Sequence, residues 1–171
     1  MFDLKLYIRE IQDFPKKGVN YKDISPLLAD INALKKCADS IATTYANQGI
    51  SKVIGIESRG FFLGTLLAER LNAGFVPVRK PGKLPYSTFK ESYSLEYGTD
   101  SLEIHTDAIL PNENVLIHDD VLATGGTAAA AIRLAEKMKA NIVGVNFLIE
   151  LDFLKGRNQL KPYTINSVCK Y

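Results

Sequence analysis

Apolar and polar positions alternate with two different periods along this chain. From Ile31 to Tyr45, directly after an N-cap candidate at Asp30, apolar side chains recur at helical spacing, and Gly49 is expected to close that helix. The next apolar run, KVIGIE, is short and continuous, which is typical of a buried strand. This part of the chain therefore predicts a helix that leads into a strand.

The same alternation continues towards the C-terminus. Buried strands are predicted in GFVPVRK, VLIHDD, NIVGVNFLIE and YTINSVCKY, helices in FFLGTLLAERLN and TAAAAIRLAEKMKA, and a short helix in FLKGRNQL. PGKLPYSTFKES has no period and is typical of a long loop, whereas YSLEYG and SLEIH are expected to pair as strands. Strands that alternate with helices favour an α/β domain with a doubly wound, mostly parallel sheet. Ligands bind such sheets beyond the carboxyl ends of the strands.

Composition supports one globular domain and excludes several classes of protein. The 171 residues are 46% hydrophobic and 23% charged, and the formal net charge of +2 is too small to attract nucleic acid to the whole surface. An apolar run of about 18 residues, which a membrane helix requires, does not occur in the sequence, and the N-terminus lacks a secretory signal. We therefore expect a cytoplasmic protein with no nucleic-acid or membrane partner.

Cysteine and histidine give no sign of a metal site. Cys37 and Cys169 lie far apart and outside any CxxC motif, which predicts two buried thiols in a reducing compartment. His105 and His118 have no familiar metal-ligand spacing, and His118 is expected to be a strand residue on a helix-covered face, without a catalytic role. A structural zinc ion is therefore not expected.

Residues 115–127 carry the strongest chemical signal. The strand VLIHDD ends in Asp119 and Asp120, and the turn ATGGT leads into a predicted helix. Glycines let the backbone approach an anion, threonine hydroxyls add donors, and the helix offers its positive end. The two carboxylates would repel a bare phosphate, but they can accept hydrogen bonds from vicinal hydroxyls. A ribose 5-phosphate satisfies both demands, whereas GxxxxGK(S/T) is absent and no GxGxxG follows a strand.

The string from Val115 to Thr127 resembles the donor-binding signature of type I phosphoribosyltransferases. The resemblance implies the fold of this family and its substrate, 5-phosphoribosyl 1-diphosphate, whose phosphoribosyl group is transferred to a nitrogen base with release of diphosphate. It also implies the residues that bind the ribose 5-phosphate, which are Asp119, Asp120, Ala123, Thr124, Gly125, Gly126 and Thr127.

Basic residues after two other strands form a candidate diphosphate site. Arg59 follows KVIGIE next to a helix start, where a guanidinium suits diphosphate oxygens. In the family this turn, here Glu57, Ser58 and Arg59, binds diphosphate, and its first peptide, Glu57–Ser58, is often cis. A second basic cluster contains Arg79, Lys80 and Lys83. The alternative interpretation of such a charge run is a solvent-exposed face without a binding role. In the family such residues approach the diphosphate of the neighbouring subunit, which implies a homodimer.

Three features point to the base, and the first two are Ala123 and a loop. Ala123 stands where the enzymes for hypoxanthine and guanine carry an aspartate. The loop of about residues 82–97 resembles the mobile loop of adenine phosphoribosyltransferases, in which Glu96 matches an acidic residue proposed to transfer a proton at the base. Tyr97 is implied to help seal the site. Without that context, Glu96 is an outward residue on a strand.

The N-terminal segment Asp13–Pro26 resembles the base-binding hood of the same enzymes. Tyr21 corresponds to an aromatic residue that stacks on adenine, and the backbone of Val19, Asn20 and Lys22 is implied to bind the adenine edge. The family more often has an apolar residue at position 20, Phe at 21 and Arg at 22. We expect a hood over residues 1–30 and a phosphoribosyltransferase core over residues 31–171.

The resemblance as a whole implies purine salvage, in which adenine and 5-phosphoribosyl 1-diphosphate give AMP and diphosphate. The implied catalytic residues are Glu96, Arg59, Asp119 and Asp120, and Mg²⁺ is expected to be held mainly by the substrate, with no direct protein ligand. Two alternatives stay open. One is a phosphoribosyltransferase for another purine base. The other is a non-catalytic regulator that senses the donor, which would need an extra basic domain or surface.

Overall fold

The computed structural model describes residues 3–94 and 98–171. In chain order, the elements are β1 (Arg9–Ile11), β2 (Tyr21–Asp23), α1 (Ser25–Ala29), α2 (Ile31–Tyr45), β3 (Lys52–Ile56), α3 (Gly60–Arg70), β4 (Gly74–Val78), β5 (Thr88–Ser94), β6 (Thr99–His105), β7 (Asn114–Leu122), α4 (Gly126–Lys137), β8 (Asn141–Glu150) and β9 (Ile165–Lys170). Short 3-10 turns lie at Leu4–Tyr7, Asp152–Leu154 and Gly156–Gln159. Among the described residues, no helix combines the length and the apolar character that crossing a membrane demands.

Within the described residues, the main sheet has five parallel strands in the order β4-β3-β7-β8-β9. The chain moves outward from β3 to β4 and then returns to place β7 on the other side of β3, so the winding direction reverses between β3 and β7. Apolar side chains of α2 and α3 pack on one face of the sheet, and those of α4 pack on the other. The predicted doubly wound α/β fold is confirmed.

Burial on both faces explains why the central strands are continuous apolar runs. Val115, Leu116 and Ile117 of β7 are fully buried, and their side chains alternate between the two clusters that flank the sheet. A parallel sheet that is covered by helices on both sides requires apolar residues at every such position.

Helix α2 begins as its sequence predicts but ends earlier. Asp30 Oδ1 accepts hydrogen bonds from the backbone N–H groups of Asn32 and Ala33, at 2.9 and 3.0 Å, and so satisfies two donors of the first turn. The helix stops before Ala46 because that residue leaves the helical conformation, with ψ 142°. Gly49, with φ +65°, therefore does not close the helix and lies in the turn before β3.

The expectation of an irregular loop through Ser92 is wrong in its second half, which forms β5 and pairs antiparallel with β6. Leu102 of β6 is fully buried, and Glu91 of β5 binds Arg133 and Lys137 of α4, at 3.2 and 2.6 Å. Contacts with distant parts of the chain thus specify a strand whose own residues are too polar to show a period.

The N-terminal segment forms a small hairpin outside the main sheet, in which β1 pairs antiparallel with β2. Lys22 is buried, and its ammonium lies 2.7 Å from the Glu10 carboxylate and 3.9 Å from the centre of the Tyr171 ring. These contacts tie the hairpin to the last residue of the chain. The domain boundary at residue 30 stays a prediction.

The two cysteines are free thiols, but only one matches the expected burial. Cys37 is buried, whereas Cys169 on the edge strand β9 is partly exposed. Burial raises the pKa of Cys37 to about 12 and that of Cys169 to about 11. Both thiols therefore stay protonated and unreactive at neutral pH.

His118 is a fully buried polar residue in the middle of the sheet. Its Nδ1 lies 2.8 Å from Asn146 Oδ1 on β8, and its Nε2 has no hydrogen-bond partner among the described residues. Burial lowers the pKa of His118 from 6.5 to about 4, so the ring is neutral in the folded protein at neutral pH.

Replacing His118 with Val should make the protein less sensitive to acid. Because the folded pKa lies below the unfolded one, the unfolded chain binds the proton first, and stability is lost as the pH falls from about 6.5 towards about 4. Between pH 7 and pH 5, the free energy of unfolding should fall by about 2 kcal/mol more for the wild type than for His118→Val. Urea unfolding at several pH values measures this difference, and parallel profiles for the two proteins would contradict it.

Candidate active site

Three predicted site residues from distant parts of the chain, Arg59, Asp120 and Tyr21, meet in the crevice between the carboxyl ends of β3 and β7. The winding direction reverses here, so the loops that leave the two strands diverge and open a crevice between them. Arg59 lies in the turn after β3, and Asp119 and Asp120 lie near the end of β7. The hood hairpin brings Tyr21 to the same place, where its hydroxyl contacts Arg59.

The turn between β7 and α4, residues 123–125, is predicted from the sequence to bind the 5′-phosphate and is called the phosphate turn below. Gly125 adopts φ +89°, a conformation that residues with a Cβ rarely adopt, and α4 begins directly after it. A cavity of about 60 Å³ lies against the turn, and one water needs about 10–15 Å³, so there is room for a small oxyanion. Five of the seven residues predicted to bind ribose 5-phosphate line this cavity: Asp119, Ala123, Thr124, Gly125 and Thr127.

The two carboxylates before the phosphate turn have different surroundings. Asp119 lines the cavity, and its Oδ1 accepts a hydrogen bond from the backbone N–H of Asp120 at 2.9 Å. Asp120 is buried and binds the guanidinium of Arg59. Burial first, and then the charge of Asp120, raise the pKa of Asp119 well above its ordinary range. A ligand that donates hydrogen bonds to Asp119, such as a hydroxyl, relieves that cost.

Arg59 connects the acidic pair to the hood. Its Nε and Nη2 bind the Asp120 carboxylate, and its Nη1 donates to the Tyr21 hydroxyl. The guanidinium carbon lies 5.0 Å from the centre of the Tyr21 ring. The peptide Glu57–Ser58 in the same turn is cis, as the family resemblance implies.

The second basic cluster is ion-paired in the structure. The Glu57 carboxylate accepts from the backbone N–H of Lys80 at 2.9 Å, from Arg79 Nε at 3.2 Å and from Lys83 Nζ at 3.0 Å. Burial alone would raise the pKa of Glu57, but the Lys80 N–H and the Lys83 and Arg79 cations together lower it below its ordinary value. These cations are thus placed around Glu57, and their role towards diphosphate stays a prediction.

Tyr21 and Lys22 direct their side chains to opposite sides of the hood hairpin. Tyr21 points towards Arg59, whereas Lys22 Nζ and Asn20 Nδ2 both bind the Glu10 carboxylate, at 2.7 and 2.6 Å. The side chains of Asn20 and Lys22 are therefore engaged outside the crevice, which leaves their backbone groups for the role that the resemblance implies.

Val19 lies in the turn that leads into β2. Its carbonyl oxygen accepts from the backbone N–H of Phe14, and its own N–H donates to the carbonyl of Lys16, both at 3.2 Å. These bonds shape the turn together with Gly18, which has φ +88°. Contact between Val19 and a base stays a prediction.

Glu96 and Tyr97 lie outside the described residues, between the end of β5 and the start of β6. On β5 and β6, the Tyr93 hydroxyl donates to Asp100 at 3.2 Å, and the Lys80 ammonium binds the same carboxylate. The predicted roles of Glu96 and Tyr97 stay predictions.

Two glycines that no motif singled out set the width of the site. A Cβ on Gly60 would lie 2.9 Å from the carbonyl oxygen of His118 and 3.0 Å from Asp119 Oδ1, so α3 can begin this close to β7 only with glycine. A Cβ on Gly156 would lie 2.2 Å from the carbonyl oxygen of Ala123 in the phosphate turn. The place of Gly60 directly after Arg59 is a usable sequence signal, whereas Gly156 is remote in sequence from the residues it contacts.

Comparison with known proteins decides the family. Residues 20–170 match the family described as the phosphoribosyl transferase domain. An adenine phosphoribosyltransferase of Christiangramia forsetii is 62% identical over 169 residues, which is 99% of each chain. This chain belongs to the adenine phosphoribosyltransferase family.

Solved structures of adenine phosphoribosyltransferases share its fold. The enzyme of Thermoanaerobacter pseudethanolicus is 49% identical and superposes with a TM-score of 0.95 over 98% of both chains. That of Saccharomyces cerevisiae, solved with an imino-altritol 1,6-bisphosphate and adenine, is 42% identical, with a TM-score of 0.92 over 97% of this chain and 96% of that one. The type I phosphoribosyltransferase fold expected from the sequence is confirmed.

Tyr21→Phe should weaken the anion site and spare the base site. The variant keeps the ring and removes only the hydroxyl that accepts from Arg59, a hydrogen bond of about 1 kcal/mol, so diphosphate affinity should fall about three- to tenfold. Adenine affinity should change less than about twofold, because the stacking surface is retained. Isothermal titration with each ligand measures both, and equal losses for the two ligands would contradict the assignment.

Proposed function

We infer that this chain transfers the 5-phosphoribosyl group of 5-phosphoribosyl 1-diphosphate to adenine and releases AMP and diphosphate, the reaction for which its family is named. One observation carries the inference: Arg59 links the acidic pair of the crevice to Tyr21 of the hood. Sites for anions, for hydroxyls and for a base are therefore adjacent, as a transfer from a sugar to a base requires. The yeast relative, solved with a sugar-like bisphosphate and adenine together, supports this combination of ligands.

The donor is held at its ribose 5-phosphate end by the phosphate turn and the first turn of α4. Backbone N–H groups and the hydroxyls of Thr124 and Thr127 bind the 5′-phosphate, and the positive end of the 12-residue helix α4 favours its charge. Asp119 and Asp120 accept hydrogen bonds from the vicinal hydroxyls of the ribose. Their negative charge also stabilises the positive charge that develops at C1.

Arg59 acts in the step in which the diphosphate leaves. As the C1–O bond breaks, its electron pair goes to the diphosphate, and Arg59 stabilises the growing negative charge with the adjoining turn of Glu57 and Ser58. Arg59 has to exchange Asp120 for diphosphate oxygens when the donor binds, while the hydroxyl of Tyr21 keeps the guanidinium in place. The cations Arg79, Lys80 and Lys83 act at the diphosphate of a neighbouring subunit.

Adenine stacks on Tyr21, and backbone groups of Val19, Asn20 and Lys22 bind its edge. The N9 lone pair attacks C1 from the face opposite the diphosphate, so the N9–C1 bond forms as the C1–O bond breaks and the configuration at C1 inverts. The proton on N7 passes to Glu96. Closure of the loop with Tyr97 excludes water, which would otherwise hydrolyse the donor.

Mg²⁺ fits this site as an ion that the substrate brings. Among residues 3–94 and 98–171, no group of three or more His, Cys, Asp or Glu side chains is arranged as a protein-only metal site. Substrate oxygens and waters would hold the ion, and the carboxylates of Asp119 and Asp120 would contact it only through those waters. When bound, the ion neutralises charge on the leaving diphosphate.

We place the reaction in the cytoplasm, as a step of purine salvage. The free cysteines support a reducing compartment, since neither Cys37 nor Cys169 forms a disulfide in the structure. The substrates support the same compartment, because charged phosphate esters do not cross membranes unaided and stay where they are made.

A base panel with Mg²⁺ and 5-phosphoribosyl 1-diphosphate tests the function. Adenine should give AMP, whereas hypoxanthine, guanine and xanthine should give no nucleotide, since Ala123 cannot exchange a proton with a 6-oxopurine. Glu96→Gln should lower kcat about 10²- to 10⁴-fold, the usual contribution of a general acid–base group. Turnover of a 6-oxopurine would mean that the hood accepts other bases, and donor binding without any nucleotide would instead support a sensor.

Glu91→Gln is the matched control for Glu96→Gln. Glu91 lies on β5, and its carboxylate binds Arg133 and Lys137 of α4. Its loss should lower stability and leave kcat within about threefold, because the Glu91 carboxylate contacts α4 cations that have no assigned role in the reaction.

We also propose that the chain is a homodimer through an apolar groove beside the turn of Glu57, Ser58 and Arg59. A groove of about 620 Å³ is lined by Leu28, Leu34, Phe61, Phe62, Thr65 and Leu66. Phe62 and Ile31 are 48% and 58% exposed, respectively, although both are large and apolar. A second copy is the favoured occupant because α3, which supplies four of the six lining residues, begins directly after Arg59. The basic cluster is also implied to act across subunits.

Phe62→Glu should convert the dimer to a monomer and raise the KM for the donor, as measured by light scattering after gel filtration and by kinetics. Leu110→Glu is the control, since Leu110 is 67% exposed and remote from the groove. A wild type that is monomeric at micromolar concentration, or a Phe62→Glu variant that stays dimeric, would overturn the proposed interface.

A further inference from the structure

Gly156 packs against the back of the phosphate turn, in a segment to which neither the motifs nor the proposed mechanism gives a role. Its missing Cβ would lie 2.2 Å from the carbonyl oxygen of Ala123 and 3.1 Å from the carbonyl carbon of Thr124. From the other side, a Cβ on Gly125 would lie 2.5 Å from the carbonyl oxygen of Gly156. Real Cβ contacts are not this short. The backbones of the two segments are therefore in direct contact, and neither glycine can carry a side chain unless the turn shifts.

The Gly156 segment is itself held by an ion pair with a buried carboxylate. Arg157 Nη2 donates to Glu150 at 2.7 Å, its Nε binds the other oxygen of the same carboxylate, and its Nη1 donates to the carbonyl of Ile165 at 2.9 Å. Glu150 ends β8, is only 2% exposed, and also accepts from the Ser167 hydroxyl at 2.7 Å. A forked guanidinium thus fixes the segment to β8 and β9 with geometric precision.

The residue before Gly156 also has an unusual backbone conformation. Lys155 adopts φ +51°, a left-handed conformation that a residue with a side chain rarely adopts. Such a conformation persists where the surroundings determine it, and the Lys155 N–H donates to the carbonyl of Asp152 at 3.0 Å. Residues 155–157, called the brace below, therefore form a fixed surface directly behind the phosphate turn.

We propose that the brace positions the phosphate turn for the 5′-phosphate of the donor, with Gly156 setting the distance and the Glu150–Arg157 pair holding the segment rigid. This inference rests on the proposed function of the turn. Gly156 and Arg157 are positioning residues, because the Arg157 guanidinium faces Glu150 and the Ile165 carbonyl and leaves the phosphate to the turn itself. A shift of the turn by a few tenths of an ångström would displace its N–H groups from the phosphate oxygens.

Isothermal titration of the full chain with ribose 5-phosphate and, separately, with inorganic diphosphate tests the proposal. Gly156→Ala should weaken ribose 5-phosphate binding about tenfold or more, because the turn has to move, and Gly125→Ala should do the same from the other side. Diphosphate affinity should stay within about twofold in both, since diphosphate binds at Arg59. Uniform loss of both affinities is what a merely structural role would give.

Two further variants keep the test decisive. Arg157→Lys adds no atom to the contact and keeps the charge but loses the fork, so it should weaken ribose 5-phosphate binding about threefold even if Gly156→Ala fails to fold. Gly49→Ala is the control, because Gly49 has φ +65° and lies before β3, away from the turn; it should leave both affinities unchanged.

The proposal is overturned if folded Gly156→Ala or Arg157→Lys binds ribose 5-phosphate as the wild type does, if diphosphate affinity falls equally, or if the wild type does not bind ribose 5-phosphate. AMP formation by the wild type is measured alongside. Its absence would overturn the proposed function, while the comparison of affinities would still decide for or against the brace.

Discussion

Two carboxylates and one guanidinium share the crevice between β3 and β7, and their charges have to be balanced both with and without a ligand. Arg59 neutralises the buried Asp120, while Asp119 is left with a pKa well above its ordinary range by burial and by the charge of Asp120. A buried carboxylate without a partner would be strongly destabilising. A ligand that combines hydroxyls with a diphosphate can replace these contacts. Its hydroxyls donate hydrogen bonds to the two carboxylates, and its diphosphate accepts hydrogen bonds from Arg59.

The sheet topology makes this arrangement possible. Because the winding direction reverses between β3 and β7, the turn after β3 and the turn after β7 leave on opposite faces and frame one crevice. Glycine then sets its dimensions from both sides. Gly60 lets α3 begin against Asp119, and the close approach of Gly125 to Gly156 supports the phosphate turn. Backbone contacts vary less than side-chain contacts, which suits a site that has to hold a charged ligand in one position.

The central strands and the phosphate turn could be predicted from the sequence because their determinants are local. A continuous apolar run specifies a strand buried on both faces, and a glycine turn after Asp119 and Asp120 predicts an anion site next to hydroxyl acceptors. Only the end of β5, Tyr93 and Ser94, lies in a strand that the sequence predicts to pair with β6. Its residues 88–92 could not be predicted, since pairing with β6 and the ion pairs of Glu91 with α4 specify them. The contact between Arg59 and Tyr21 and the packing of Gly156 join segments far apart in the chain, so no local pattern encodes them.

The exchange of partners by Arg59 is the central claim, and a crystal structure of this chain with ribose 5-phosphate and diphosphate bound tests it most directly. The account predicts that the Arg59 guanidinium leaves Asp120 and binds diphosphate oxygens, that Asp120 accepts from a ribose hydroxyl, and that the Tyr21 hydroxyl still contacts Arg59. An Arg59–Asp120 pair that stays intact while both ligands occupy the crevice would contradict it.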